Sequence, residues 1–270
     1  MTAMTSPTAA TRFETLDWYE TPKYYDIVFD VDTSKEADFL AAIYERYAGT
    51  RGKRVLEPAC GSGRLLVELA RRGWSVTGDD RSQPMLAYAR ERLDSAGLVG
   101  TLRRNDMADF HTRGRFDLAH CFVSTFKYLL TEKAARAHLE CIARALKPGG
   151  VYALGFHLTD YAATGRTRER WVAQRGDTRV VCNIQGWPAD RRRRLEQVRA
   201  RLVIDEGGVR KRSETTWNFR TYDASQVRRL LRSVPALEHV ATYDFRYDAD
   251  ECCRLSDAQY DTLLILRRRE

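Results

Sequence analysis

No Cys-x-x-Cys spacing occurs among the six cysteines of this 270-residue chain (Cys60, Cys121, Cys141, Cys182, Cys252 and Cys253). That argues against zinc, and against a disulfide framework; no metal is expected. No run approaches the roughly 18 consecutive apolar residues of a membrane span. Residues 1–12 are rich in Ser, Thr and Ala without the apolar stretch of a secretion signal, so they read as a loose tail. A reduced, cytoplasmic setting is the expectation. Seventeen glycines and seven prolines are too few for collagen or low-complexity disorder. What remains, 43% apolar and 30% charged, is ordinary globular composition. The length suits one large α/β domain burying about three quarters of its unfolded surface.

Charge is unevenly spread. Residues 161–222 hold fifteen Lys/Arg and seven Asp/Glu, a balance of +8, which is the net charge of the whole chain. Lysine supplies only seven of the 45 basic residues, so arginine abundance by itself carries little weight.

From about residue 35 to 158, apolar periodicity alternates between strand-like and helix-like runs. Thr33 with Glu36 predicts a capping box opening a helix. Strands are expected at 54–57, 74–78, 99–103, 116–123 and 151–158, with helices at 64–72, 82–93 and 131–146 between them. Such alternation means right-handed βαβ units and an open parallel sheet. After Leu158 the pattern changes: 179–185, 197–205 and 213–220 alternate apolar and polar residues between turns, as antiparallel strands do. A helix at 225–231 and strands at 237–245 and 260–266 then return to the sheet. The expected organisation is an N-terminal helical cap (13–48), a core (49–158), a basic insert (159–222) and a return to the core (223–270).

The stretch Val55-Leu-Glu-Pro-Ala-Cys-Gly-Ser-Gly-Arg64 lies at the carboxyl end of the first parallel strand, where ligands of such sheets bind. Gly61 and Gly63 allow close backbone approach. Asp80 follows Gly63 by seventeen residues at the next strand's end, and its two oxygens match the vicinal diol of a ribose. The third glycine of a dinucleotide fingerprint is replaced by Leu66, and there is no Walker lysine. Glu57 would repel pyrophosphate but suits an ammonium group. A ligand with both a ribose and an amino acid is S-adenosylmethionine (SAM).

With these residues in place, the sequence resembles the class I SAM-dependent methyltransferases. Glu57-Pro-Ala-Cys-Gly-Ser-Gly63 is similar to their first motif, with Ala59 where glycine is usual. Residues 76–86, Asn105-Asp106-Met107, 116–128 and Leu146-Lys-Pro-Gly-Gly150 resemble the later segments in order. Tyr24-Tyr25-Asp26 and the antiparallel insert resemble small-molecule methyltransferases, including those acting on nucleotide-linked amino sugars and on glycine. The resemblance implies an α/β fold, a doubly wound Rossmann-like sheet of seven mostly parallel strands, here with a three-stranded antiparallel insert. It also implies that Glu57 and the Ala59–Gly63 backbone hold the methionine end of SAM, Asp80 the ribose and Asp106 the adenine amino group. Met107 with Ser82 or Arg81 would flank the purine, and Cys121 and Phe122 would face the sulfonium.

A sulfonium is already an excellent leaving group, so such an enzyme chiefly aligns the acceptor and excludes water. A base is needed only for a protonated acceptor. The candidates are His157 and Tyr161, with Tyr24 and Tyr25 if the N-terminal segment folds over the site; a structural role suits His157 better than a catalytic one, and His120 reads as core. Tyr24, Tyr25, Trp217 and Tyr222 are candidate acceptor contacts, although Trp217, Phe219 and Tyr222 would also simply fill a seam. Residues 121–125 lack the motifs of base methyltransferases, so nucleic acid is not favoured and a small molecule is the expected acceptor, at an O or N atom. The basic insert suits an anionic small molecule, RNA backbone or a solvated edge. RNA methylation and non-catalytic nucleoside binding remain the alternatives.

Overall fold

The computed structural model describes residues 12–270. The tail expected over residues 1–12 lies, but for Arg12, outside the described residues. The N-terminal segment holds a short strand β1 (Glu14–Thr15), a 3-10 turn (Trp18–Glu20) and helices α1 (Pro22–Phe29) and α2 (Thr33–Tyr47). The predicted capping box does not form. Asp32, in the left-handed region at φ 60°, is the N-cap of α2. Thr33 instead donates to Asp30, and Glu36 turns inward to pair with Arg64. A half-buried guanidinium holds that carboxylate more strongly than a backbone N–H would.

The core then runs β2 (Arg54–Pro58), α3 (Arg64–Arg71), β3 (Ser75–Asp80), α4 (Gln83–Ser95), β4 (Gly100–Arg104), β5 (Phe116–Cys121), α5 (Glu132–Ala145) and β6 (Leu146–His157). Ser82 caps α4 by accepting the Met85 N–H, and Thr131 caps α5 through Ala134. After the insert, α6 (Ala224–Arg232) opens with a capping box of Asp223 and Gln226, followed by β11 (Leu237–Tyr243) and β12 (Asp261–Arg268). The seven strands lie in the order β11-β12-β6-β5-β2-β3-β4, parallel except for β12, which runs antiparallel to both its neighbours. Strand order reverses between β2 and β5, opening the crevice over their carboxyl ends. Apolar residues fill both faces: Tyr152, Phe156 and Leu139 on the α5/α6 side, and Phe39, Leu65 and Val76 on the α2/α3/α4 side.

The insert has four antiparallel strands, one more than expected: β7 (Thr167–Arg175), β8 (Thr178–Gly186), β9 (Leu195–Glu206) and β10 (Val209–Arg220). Strand β1 adds in parallel to β10, completing a five-stranded sheet. Strand β7 escapes sequence reading because it is an edge strand exposed along almost its whole length, so no apolar alternation marks it. Its signal is the two-residue turn Gly176-Asp177, with Gly176 at φ 61°, a hairpin dipeptide. One face of this sheet packs on α1 through Val180, Cys182, Ala200, Leu202 and Ile204 against Trp18, Ile27 and Val28.

Candidate active site

The turn after β2 is wound tightly. Ala59, Gly61 and Gly63 all take positive φ (60°, 53° and 71°), where a side chain costs about 1–2 kcal/mol. Alanine therefore stands at a glycine-type position at some cost. A Cβ on Gly63 would lie 2.8 Å from that of Ala89, so only glycine allows α3 to start this close to α4.

Two adjacent acids at the end of β3 have separate roles. Asp79 is fully buried and held by Nε and Nη2 of Arg103, at 2.7 and 2.8 Å. Asp80 instead joins two turns: Oδ2 accepts the Gly61 N–H and Oδ1 the Ser82 N–H, each at 2.8 Å. Burial raises its pKa against the pull of these donors. Asp80 thus lies beside the glycine turn, with lone pairs left for a diol.

Glu57 is buried, and its Oε2 has no partner. Burial pushes its pKa well above the carboxylate range, with Arg64 opposing and Glu36 and Asp80 reinforcing the shift. His120 is wholly buried 3.7 Å from Glu57 Oε1, and both of its ring nitrogens lack partners. Its pKa is pushed down to about 3 by burial and by Arg64. It is buried as expected, but beside the site's acid. A buried carboxylate oxygen without a partner in a native fold calls for an explanation.

The N-terminal segment folds over this turn. Ser82 donates to the Tyr19 carbonyl at 3.3 Å, and Ser62, inside the turn, donates to Asp26 of α1 at 2.7 Å. Tyr25 lies close enough to Arg64 and Asp80 to feel their charges, and burial raises its hydroxyl to about 12. Around it packs an aromatic cluster that sequence reading largely missed. Trp18 packs on Tyr19, Tyr25, Phe29 and Trp217, with centroids 4.7–5.9 Å away. Tyr128 faces Trp217 and Phe219, and Tyr19 donates its hydroxyl to that of Tyr128 at 2.9 Å. Burial raises both hydroxyls well above their ordinary pKa. The buried indole N–H groups of Trp18 and Trp217 find no acceptor. Tyr25, Trp217 and Phe219 were marked in the sequence, and aromatic density in residues 18–29 is a further signal, but Trp18, Tyr19 and Tyr128 meet only across about 100 and 200 residues of chain.

Of the other expected site residues, Asp106 is exposed, accepts the Ala108 N–H at 2.8 Å and stands 3.7 Å from the exposed Arg81. Met107 is buried against the core. Phe122 points to the Glu57 side, 5.6 Å from His120 and 5.9 Å from Tyr247. Cys121 does not join it: successive strand side chains alternate, and Cys121 lies in the α5-side core with its thiol raised to about 12 by burial. His157 ends β6 with Nδ1 2.8 Å from Asp261 and its ring stacked on Tyr260. Three other expected residues are engaged elsewhere. The Tyr161 hydroxyl is bonded to Thr221 and Gln226. Tyr24 donates to Glu206 and accepts from Lys211 at the β9–β10 turn. Tyr222 is wholly buried between Phe126 and Phe156. Among the described residues, no cluster of His, Cys, Asp and Glu could hold a metal.

Residues 55–150 match the family model of a methyltransferase domain. An uncharacterized methyltransferase of Synechocystis sp. is 32% identical over 148 residues, which is 54% of this chain and 67% of that protein. The chain belongs to the class I SAM-dependent methyltransferases. The dTDP-3-amino-3,6-dideoxy-alpha-D-glucopyranose N,N-dimethyltransferase of Streptomyces fradiae is 34% identical over 135 residues, 49% of this chain and 51% of that one. The chain thus spans about half the length of several curated relatives it matches. In fold, it resembles a SAM-dependent methyltransferase from Clostridium acetobutylicum with TM-score 0.76 and 20% identity, covering 94% of this chain and 99% of the other.

Proposed function

We propose that this protein binds SAM in the crevice over β2 and β3 and transfers its methyl group to an amine nitrogen of a small molecule. The observation that carries the reading is the Asp80 carboxylate, joined to the Gly61 and Ser82 N–H groups, beside the unpaired buried oxygen of Glu57. These residues fit the donor: Glu57 takes the α-ammonium, Asp80 the ribose hydroxyls, and Asp106 the adenine amino group beside Met107 and Arg81. Bound SAM supplies an activated methyl on a cationic sulfur.

The aromatic cluster of Trp18, Tyr19, Tyr25, Tyr128 and Trp217 fits the wall of an acceptor chamber for a neutral amine, because aromatic faces stabilise the positive charge its nitrogen gains with the methyl and dry walls exclude water; the ammonium so formed then gives its proton to solvent. The Tyr19 and Tyr128 hydroxyls, held neutral by burial, orient the acceptor's lone pair and do not act as bases. The amino-sugar dimethyltransferase of S. fradiae supports an amine acceptor. A hydroxyl acceptor is the second reading, favoured by the His157–Asp261 pair: Asp261 fixes the proton on Nδ1, leaving the Nε2 lone pair as the base. Incubation with SAM and a panel of amino sugars and their hydroxyl analogues, with product analysis by mass spectrometry, tests this. N-methylation supports the proposal, exclusive O-methylation favours the second reading, and no SAM binding at millimolar concentration overturns both.

Two further results are expected. Tyr128→Phe should lower kcat about tenfold, the worth of one positioning hydrogen bond, with SAM affinity unchanged by calorimetry. The second concerns pH. A buried Glu57 stays protonated above its ordinary value of 4.5, so the free protein loses stability as pH rises from there to the raised value. An ammonium bound at Glu57 favours the ionised form. The thermal shift given by S-adenosylhomocysteine should therefore grow as pH rises above 4.5 towards the raised value, and Glu57→Gln should flatten that slope.

A further inference from the structure

The insert sheet has a second face, turned away from α1 and the aromatic cluster. Cross-strand pairing places its side chains in rows. One row is Arg168, Gln185 and Arg199; the next is Arg170, Asn183 and Arg201. Neighbouring strands lie about 4.8 Å apart and same-face residues about 7 Å apart along a strand. Four guanidinium stems therefore frame a rectangle of roughly 7 by 10 Å around two amides. A groove of ≈ 470 Å³ opens over these residues, with Phe13, Glu169 and Ile184 also in its lining.

The two inner arginines are held in place. Arg199 donates to Gln185 at 2.7 Å and stands 3.6 Å from Glu214, and Arg201 pairs with Glu214 at 2.5 Å while covering the Phe13 ring at 4.8 Å. Arg168 and Arg170, on the exposed edge strand, have no carboxylate partner among the described residues. Along β7, β8 and β9 the following row is three valines, Val172, Val181 and Val203, with Arg212 beside them on β10; in the row after it Asp205 pairs with Arg210 and Arg179. An extended polyanion on these three strands would run across the valines; a compact one would not reach them.

We propose that this groove binds an organic diphosphate or polyphosphate of small-molecule size, on the face of the insert opposite the methyl-transfer crevice. Guanidinium pairs bind phosphate oxygens bidentately, and here they approach from two sides, with the Asn183 and Gln185 amides as further donors. The site is distinct from the acceptor chamber and does not depend on the identity of the acceptor.

Calorimetry on the full chain with inorganic pyrophosphate and tripolyphosphate as probes tests this. One site per chain is expected. Arg168→Gln/Arg170→Gln should weaken it about tenfold or more, and Glu214→Gln, which frees Arg201, should tighten it a few-fold. Neither variant should change S-adenosylhomocysteine affinity. Equal pyrophosphate affinity in wild type and the double variant would overturn the site. So would a single-stranded oligonucleotide binding about a hundredfold tighter than tripolyphosphate, with a steep salt dependence, which marks a nucleic-acid surface instead.

Discussion

Replacing Asp26 with alanine should destabilise the protein by about 3 kcal/mol, with unfolding in urea as the measurement. This carboxylate is 1% exposed and gathers four partners from three parts of the chain. Ser62 of the glycine turn donates at 2.7 Å and Tyr88 of α4 at 3.1 Å; Arg92 of α4 pairs with it directly, and Arg175 reaches it at 2.7 Å from the end of β7. Removing one member of a buried ion pair typically costs about 3–5 kcal/mol, because the remaining charge is left uncompensated. Asp30 also pairs with Arg92 and Arg175, at 3.1 and 3.4 Å, which places the loss at the low end. Asp26→Asn keeps the shape and an acceptor for Ser62, so it should cost less. A loss under about 1 kcal/mol for the alanine variant would mean that Asp30 alone suffices.

Asp80→Ala should weaken SAM and S-adenosylhomocysteine binding by about 1.5–3 kcal/mol, on the order of ten- to a hundredfold. Two effects combine: the loss of the acceptor proposed for the ribose hydroxyls, and the release of the Gly61 and Ser82 N–H groups that the carboxylate holds at 2.8 Å. Asp79→Ala makes a useful contrast. Asp79 is satisfied by Arg103 inside the sheet, so its loss should register chiefly in folding stability. Calorimetry and thermal unfolding on both variants separate the two roles, and unchanged affinity in Asp80→Ala would remove the donor site from this crevice.

The central sheet was legible because its determinants are local: near-continuous apolar strands such as β5, helices with one apolar stripe, and a glycine turn at a strand end. The acids at 57 and 80 were legible for the same reason. The direction of Cys121 was also available, since Leu118, His120 and Phe122 alternate with Ala119 and Cys121 across the sheet. What escaped depends on distance. The Thr33 capping box lost Glu36 to an arginine 28 residues on, in α3. The Tyr19–Tyr128 hydroxyl pair joins segments 109 residues apart, and nothing local in either segment announces the other. Strand β7 escaped because an arginine-rich edge has no buried face to impose a period of two.

The aromatic cluster comes from the chain before α2, from residues 125–128 and from β10, whereas the glycine turn and both acids belong to the βα units of the core. On the acceptor role proposed for these aromatics, substitutions among them can redirect which nucleophile is admitted without touching the glycine turn or either acid. An engineer seeking a different acceptor should graft or vary Trp18, Tyr19 and Trp217 and leave the first two strands untouched.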